Sequence, residues 1–287
     1  MRISAPEQGN IYTNALTKRI VSLFRGCTLR SAMDAALESD AAWVARRLRE
    51  ADTAVAFTGA GMSTASGIPD FRGDDGIWET EFDPASFHRD RFVNDPAGFW
   101  RDRVRLQERM FPDGVEPNPG HDALAALESR GVLDAVVTQN TDGLHREAGS
   151  DRVVELHGNA AEVVCEDCGA RTDADPAFEA VRAGDAPPTC EDCGGLLKPG
   201  VVLFGERLPR VAYSEANRLA GDADVFLSLG SSLTVHPAAG LAGRAAESGS
   251  LVVVNFDATQ YDDRADRVVR GDLAAFLPEV EKRAKRV

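Results

Sequence analysis

T-G-A-G-M-S-T-A-S-G-I-P-D-F-R-G, running from Thr58 to Gly73, follows directly on the apolar run Ala54-Val55-Ala56-Phe57. A short apolar run closed by a glycine turn has the pattern of a buried strand. Gly59 and Gly61 allow a sharp turn and a close approach of backbone to a ligand. Ser63 or Thr64 is placed to cap a following helix, and the N–H groups at such a helix start make a site for a phosphate. The spacing is not the dinucleotide fingerprint G-x-G-x-x-G, because the glycine after Gly61 is Gly67. The glycines alone therefore read equally as a nucleotide site or an ordinary turn. The tail Ile68-Pro69-Asp70-Phe71-Arg72-Gly73 is an unusual composition for a segment that only connects.

The same alternation continues along the chain. Strands are predicted at residues 133–138, 153–156, 201–204, 224–229 and 251–254, and helices at 41–48 (capped by Asp40), 121–129, 211–219, 238–247 and from about Asp272. Strands alternating with helices imply an α/β fold, a parallel sheet with helices on both faces. Polar residues gather after the strands: Gln139-Asn140-Thr141-Asp142, His157-Gly158, Gly205-Glu206, Gly230-Ser231-Ser232 and Asn255-Phe256-Asp257. The carboxyl ends of strands are where open α/β sheets bind ligands. Residues 74–111 carry Trp78, Phe82, Phe87, Phe92, Phe99 and Trp100, and read either as a cover over a site or as helical core. Residues 1–38 show no strand or glycine signature; a short amphipathic helix at 20–29 would carry Cys27.

The net charge of −14 argues against nucleic-acid binding. Only four of the 32 cations are lysines, Lys18, Lys198, Lys282 and Lys285, a balance that suits either high intracellular salt or a merely acidic cytosolic protein. No apolar run reaches the roughly 18 residues of a membrane span, and no secretory leader is visible. The expectation is a cytoplasmic monomer.

Cys165-x-x-Cys168 and Cys190-x-x-Cys193, with 21 residues between them, match a four-thiolate structural zinc site. A redox or disulfide role is the alternative. His157 after its strand reads as a structural hydrogen-bonder or as a base whose ordinary pKa lies near neutrality. Asn140 and Asp142 suit ribose hydroxyls, or an Asx-turn.

Together these stretches resemble the sirtuin family of NAD-dependent protein deacylases over roughly residues 40–280. The resemblance rests on residues 59–73, 138–145, 157–158, the two C-x-x-C pairs, V-V-L-F-G-E at 201–206, G-S-S-L-T-V-H-P at 230–237 and N-F-D at 255–257. It implies a Rossmann-type NAD-binding domain (39–158 and 201–287) and a zinc-ribbon insertion (159–200), with part of 74–115 as helical cover. It implies that Gly59, Ala60, Gly61, Thr64, Ile68, Pro69, Asp70, Phe71 and Arg72 contact NAD, with Phe71 shielding the reacting carbon. Gln139, Asn140 and Asp142 would orient the ribose and carboxamide, and His157 would be the general base. Gly230, Ser231, Ser232, Asn255, Phe256, Asp257 and Leu273 would take the phosphate, ribose and adenine. An acylated lysine peptide would lie between Val202, Phe204, Gly205, Glu206 and the loop of Val235. Cys165, Cys168, Cys190 and Cys193 would hold one zinc.

Members preferring acidic acyl groups carry Tyr and Arg three apart in the helix lining the acyl pocket. Here the pair is Trp100 and Arg103. Deacetylation is the first expectation, with acidic or long acyl groups and mono-ADP-ribosyl transfer as variants. An NAD oxidoreductase would need the glycine spacing that is absent. A non-catalytic zinc-ribbon module would not need the strand-end polar groups.

Overall fold

The computed structural model describes residues 35–71 and 76–285. The expected helix at 20–29 and Cys27 lie outside them. The described strands are β1 (Ala54–Thr58), β2 (Ala135–Thr138), β3 (Val153–Glu155), β4 (Gly158–Cys165), β5 (Arg171–Asp173) and β6 (Leu197–Val201). Then follow β7 (Val225–Leu229), β8 (Ser250–Val254) and β9 (Arg267–Val269). Six of them form one parallel sheet in the order β3-β2-β1-β7-β8-β9. The chain builds outward from β1 to β3, then returns beside β1 and builds the other way. The order reverses between β1 and β7, which makes the crevice at their carboxyl ends the place for a ligand.

Every residue of β1, β2, β7 and β8 is buried, as expected of strands covered on both faces. The two-residue period of a strand divides them between two cores. Ala54, Ala56, Val136, Leu227, Val252 and Val254 face one core. That core is completed by α1 (described over residues 35–50), α5 (Pro119–Ser129) and α10 (Leu273–Arg283). Val55, Phe57, Val137, Phe226, Leu251 and Val253 face the other, against α8 (Arg210–Asp222) and α9 (Gly240–Ala245). Asp40 is not a cap, because α1 is already helical at residue 35; its carboxylate instead accepts from Arg267, 3.1 Å away.

A third core joins what lies between. The antiparallel sheet β5-β4-β6 and α7 (Asp175–Ala183) pack with α3 (Arg89–Asn94) and α4 (Pro96–Met110). The short α2 (Ile77–Thr80) contributes Ile77 and Trp78. The expected strand at 201–204 is displaced. β6 ends at Val201, paired with Gly158, and Phe204 makes only an isolated bridge to His88. The strand runs earlier because β4 supplies its hydrogen-bonding partner there, which an apolar run alone does not reveal.

Two buried histidines lie under the crevice. His121 opens α5, where its Nδ1 accepts from the Asn118 N–H, and His145 lies on α6 (Leu144–Glu147). Their ring centroids are 4.8 Å apart. Burial pulls His121 down to about 4 and, with repulsion from His121, pulls His145 down to about 3. Unfolded, both rings take up protons near the ordinary value of 6.5, while the folded chain keeps them neutral. Stability is therefore full above that pH and falls as pH drops toward 4. By pH 5 the loss is about 2 kcal/mol for each ring. Thermal melts at pH 7.5 and 5.0 should show it, and a double variant with glutamine at both positions should flatten the dependence. An unchanged slope in that variant would mean that other groups control the acid limb.

Candidate active site

The glycine loop does not start a helix. After Gly59 the chain makes two 3-10 turns, Ala60–Met62 and Thr64–Ser66, in place of the expected α-helix start. Thr64 donates back to the Gly61 carbonyl at 3.2 Å. The glycines serve another purpose. A Cβ on Gly59 would sit 2.8 Å from the Gly230 carbonyl oxygen, and one on Gly230, whose φ is +61°, would sit 2.5 Å from Gly61 C and Met62 N. The loops after β1 and β7 touch backbone to backbone, and only glycine permits it. The Gly61 N–H seals the contact by donating to Gly230 O at 2.9 Å.

Next to this contact the end of β2 delivers its polar residues. The Asn140 amide donates to Gly59 O and to Ser63 Oγ, both at 3.1 Å, and Ser63 Oγ in turn donates to Asp142 Oδ2 at 2.7 Å. Asp142 Oδ1 accepts from the Leu144 N–H at 3.0 Å. Burial raises the Asp142 pKa, opposed by these hydrogen bonds. Gln139 Nε2 donates to Ser231 Oγ at 2.8 Å, tying the β2 and β7 loops. Ser63 is a site residue that sequence reasoning read only as a cap. Its hydroxyl stands between the Asn140 amide and the Asp142 carboxylate.

His157 stands between β3 and β4. Its Nδ1 lies 2.9 Å from the Gln139 carbonyl, which can only accept, so Nδ1 carries the proton and the neutral ring's basic nitrogen is Nε2. The His157 carbonyl accepts from the Val202 N–H at 2.8 Å. One residue thus joins the imidazole to the first residue of the 202–206 segment.

Other expected residues are spread around this centre. Ile68 is buried in the third core, and Pro69 and Asp70 are half-buried. Phe71 stacks on Trp78 with centroids 5.4 Å apart, and Trp78 meets Phe204 edge-on at 5.8 Å. Arg72 lies outside the described residues. Ser232 is exposed and pairs with Thr234, Val235 is half-buried, and Phe256 is 68% exposed beside exposed Asp257. The Asn255 amide donates to Asp257 O at 3.0 Å. Leu273, expected on the adenine side, is a buried member of the first core. Trp100 is fully buried against Phe178 and donates Nε1–H to the Leu197 carbonyl at 2.9 Å. It joins α4 to the small sheet and has no donor to spare. Arg103 is 4% exposed, over the Phe178 ring. Burial brings it down to about 10, and no carboxylate among the described residues pairs with it.

The four cysteines are free thiols that meet as expected. Their ligand atoms lie within 4.8 Å of one another, with Cys165–Cys193 at 3.5 Å and Cys168–Cys190 at 3.8 Å. Sulfurs about 2.3 Å from a tetrahedral zinc are about 3.8 Å apart. Backbone N–H groups of Cys168 and Gly195 point at the Cys165 and Cys193 sulfurs, as a thiolate site requires. The fit is to one structural zinc with no position left for water. Glu166, inside the first knuckle, pairs with Arg89. Arg89 also reaches Glu206 at 3.5 Å, and Glu206 accepts from Lys198 and from the Leu203 N–H. The zinc knuckle is thereby linked to the 202–206 segment.

A parallel sheet of this order, with polar loops meeting at its switch point, is the frame of a dinucleotide-binding fold. The Sir2 family model matches residues 59–237. The chain is 60% identical over 243 residues to an NAD-dependent protein deacetylase of Haloarcula marismortui, covering 84% of this chain and 93% of that one. It is 45% identical over 245 residues to an NAD-dependent protein deacylase of Thermococcus kodakarensis, with 84% and 94% covered. A solved structure of Sir2 with a p53 peptide and NAD+ superposes with a TM-score of 0.74 at 40% identity, covering 83% of this chain and 95% of that one. The chain belongs to the Sir2 family.

Proposed function

We propose that the protein is an NAD-dependent protein-lysine deacylase, acting first of all on acetyl-lysine, as a cytoplasmic monomer without nucleic-acid partners. The observation that carries this is the meeting of His157, Asn140, Ser63 and Asp142 at one crevice, with the imidazole's proton committed to Gln139 O. NAD supplies an anomeric carbon that releases nicotinamide and a ribose that receives the acyl group. The protein's part is orientation and proton handling. Asn140 and Asp142 hold the ribose and carboxamide, with Ser63 fixing their relative positions. His157 Nε2 takes the proton of a ribose hydroxyl. Phe71, stacked on Trp78, excludes water from the nicotinamide side. The backbone of 202–205 adds to an extended peptide as a strand neighbour. Among the described residues no helix is long and apolar enough to cross a membrane.

A second substrate class has one observation in its favour. Arg103 is a buried cation that no carboxylate among the described residues pairs with, a position suited to an acidic acyl group. Acetyl-, succinyl- and long-chain-acyl-lysine peptides incubated with NAD separate the readings by mass spectrometry. Deacylated peptide with an equal amount of nicotinamide and O-acyl-ADP-ribose is expected, most rapidly from the acetyl peptide. A faster succinyl reaction, lost in Arg103→Met, would reverse the order of preference. ADP-ribose attached to protein would replace the deacylase reading altogether.

A further inference from the structure

Beneath the crevice runs a line of buried polar groups that the mechanism above does not use. The Asn140 N–H donates to Thr138 Oγ1 at 3.0 Å, and Thr58 Oγ1 donates to the same oxygen at 2.8 Å. Thr58 has one hydroxyl proton, and this bond uses it. His145 Nε2, 2.9 Å from Thr58 Oγ1, must therefore be a donor, which leaves its lone pair on Nδ1. That Nδ1 is buried without a partner. On the neighbouring ring, Nδ1 of His121 accepts from Asn118 N–H, so its proton is on Nε2, which is also buried without a partner. A buried donor and a buried acceptor thus lie on rings whose centroids are 4.8 Å apart, with no direct hydrogen bond between them and a gap that one water can bridge.

We infer that Thr58 and His145, backed by His121, are positioning residues that orient the catalytic Asn140 by fixing Thr138 Oγ1 as a double acceptor. All the protons in this line point the same way, from the histidines toward Thr138. The four side chains are essentially inaccessible to water, so a lost bond is not replaced from solvent. The Asn140 side chain, aimed at Gly59 O and Ser63 Oγ, takes its place from this backbone anchor. The inference rests on the deacylase reading for its kinetic consequence, but its structural part stands apart from it.

Thr58→Val keeps the side-chain shape and removes the hydroxyl. The expected result is a tenfold or larger fall in kcat with the acetyl-peptide KM unchanged, and recovery to within twofold in Thr58→Ser. His145→Phe should lose as much, and the double variant Thr58→Val/His145→Phe should be little worse than either alone. Hydrogen exchange of residues 139–143 should quicken in Thr58→Val while the strands keep their protection. If Thr58→Val does not fold, His145→Gln against His145→Phe tests the same donor, with activity kept only in the glutamine variant. Wild-type kcat in Thr58→Val, failure of serine to rescue, or multiplying effects in the double variant would overturn the inference. Should the wild type itself not deacylate, the deacylase reading fails, and the exchange measurement still tests the line.

Discussion

His157→Ala is expected to lower deacylation by about 10²–10⁴-fold, the range for loss of a general base, while NAD affinity stays within about threefold of wild type, because the loops that P-loop-free Rossmann sites use for binding are untouched. The reason is the division of labour at the seam. The imidazole lies after β3, and its Nδ1–H is held by the Gln139 backbone carbonyl. Removing the ring leaves Asn140, Ser63, Asp142 and the glycine contact in place. Calorimetric titration with NAD beside a peptide assay separates binding from chemistry. Full activity in the variant would remove the base from His157, and loss of NAD binding would make the histidine part of the binding surface.

The second large effect is expected from the metal site. Purified protein should carry about one zinc per chain, and stripping it should abolish peptide deacylation with loss of fixed structure in the small module. Structural zinc sites supply apparent binding energies of about 10–16 kcal/mol in small modules. β5 has only three residues, all exposed, so the small sheet has little to hold it besides the metal and the third core. The parallel sheet has two cores of its own and should remain folded. Metal analysis, near-ultraviolet circular dichroism and a two-step thermal melt test this. Cys168→Ser should reproduce the stripped state. A metal-free protein that keeps full activity would show that the thiolate cluster is not structural.

The parallel sheet and the zinc cluster were legible in the sequence because each is written locally. A buried strand shows as an apolar run, and a thiolate site shows as paired cysteines. The readings that failed needed knowledge of a distant partner. Asp40 looked like a cap because only its own neighbourhood was visible, whereas its carboxylate is taken by Arg267 across the first core. Residues 201–204 looked like a strand, but β4 pairs the chain a few residues earlier. Trp100 and Leu273, read as site residues by type, are both packed in cores whose other members lie far along the chain. In the opening loop, Gly59 and Gly61 were read as allowing a close approach of backbone to a ligand, and the backbone that approaches them within the chain is that of Gly230. Ser63 could have been found from its company, since a hydroxyl between a buried amide and a buried acid has both donor and acceptor to satisfy.

The glycine contact between the loops after β1 and β7 also limits how the molecule can move. Opposed backbones with no side chains between them leave no joint there, and the Gln139–Ser231 bond adds a second strut across the same line. The two halves of the parallel sheet are thereby joined directly at the floor of the crevice. On the other side of the crevice stand Phe71 stacked on Trp78 and the zinc-bearing module. That module is attached through His157–Gly158 at one strand and Val201–Val202 at the other. His157, proposed as the general base, therefore stands at that attachment, tied to the end of β2 through the Gln139 carbonyl.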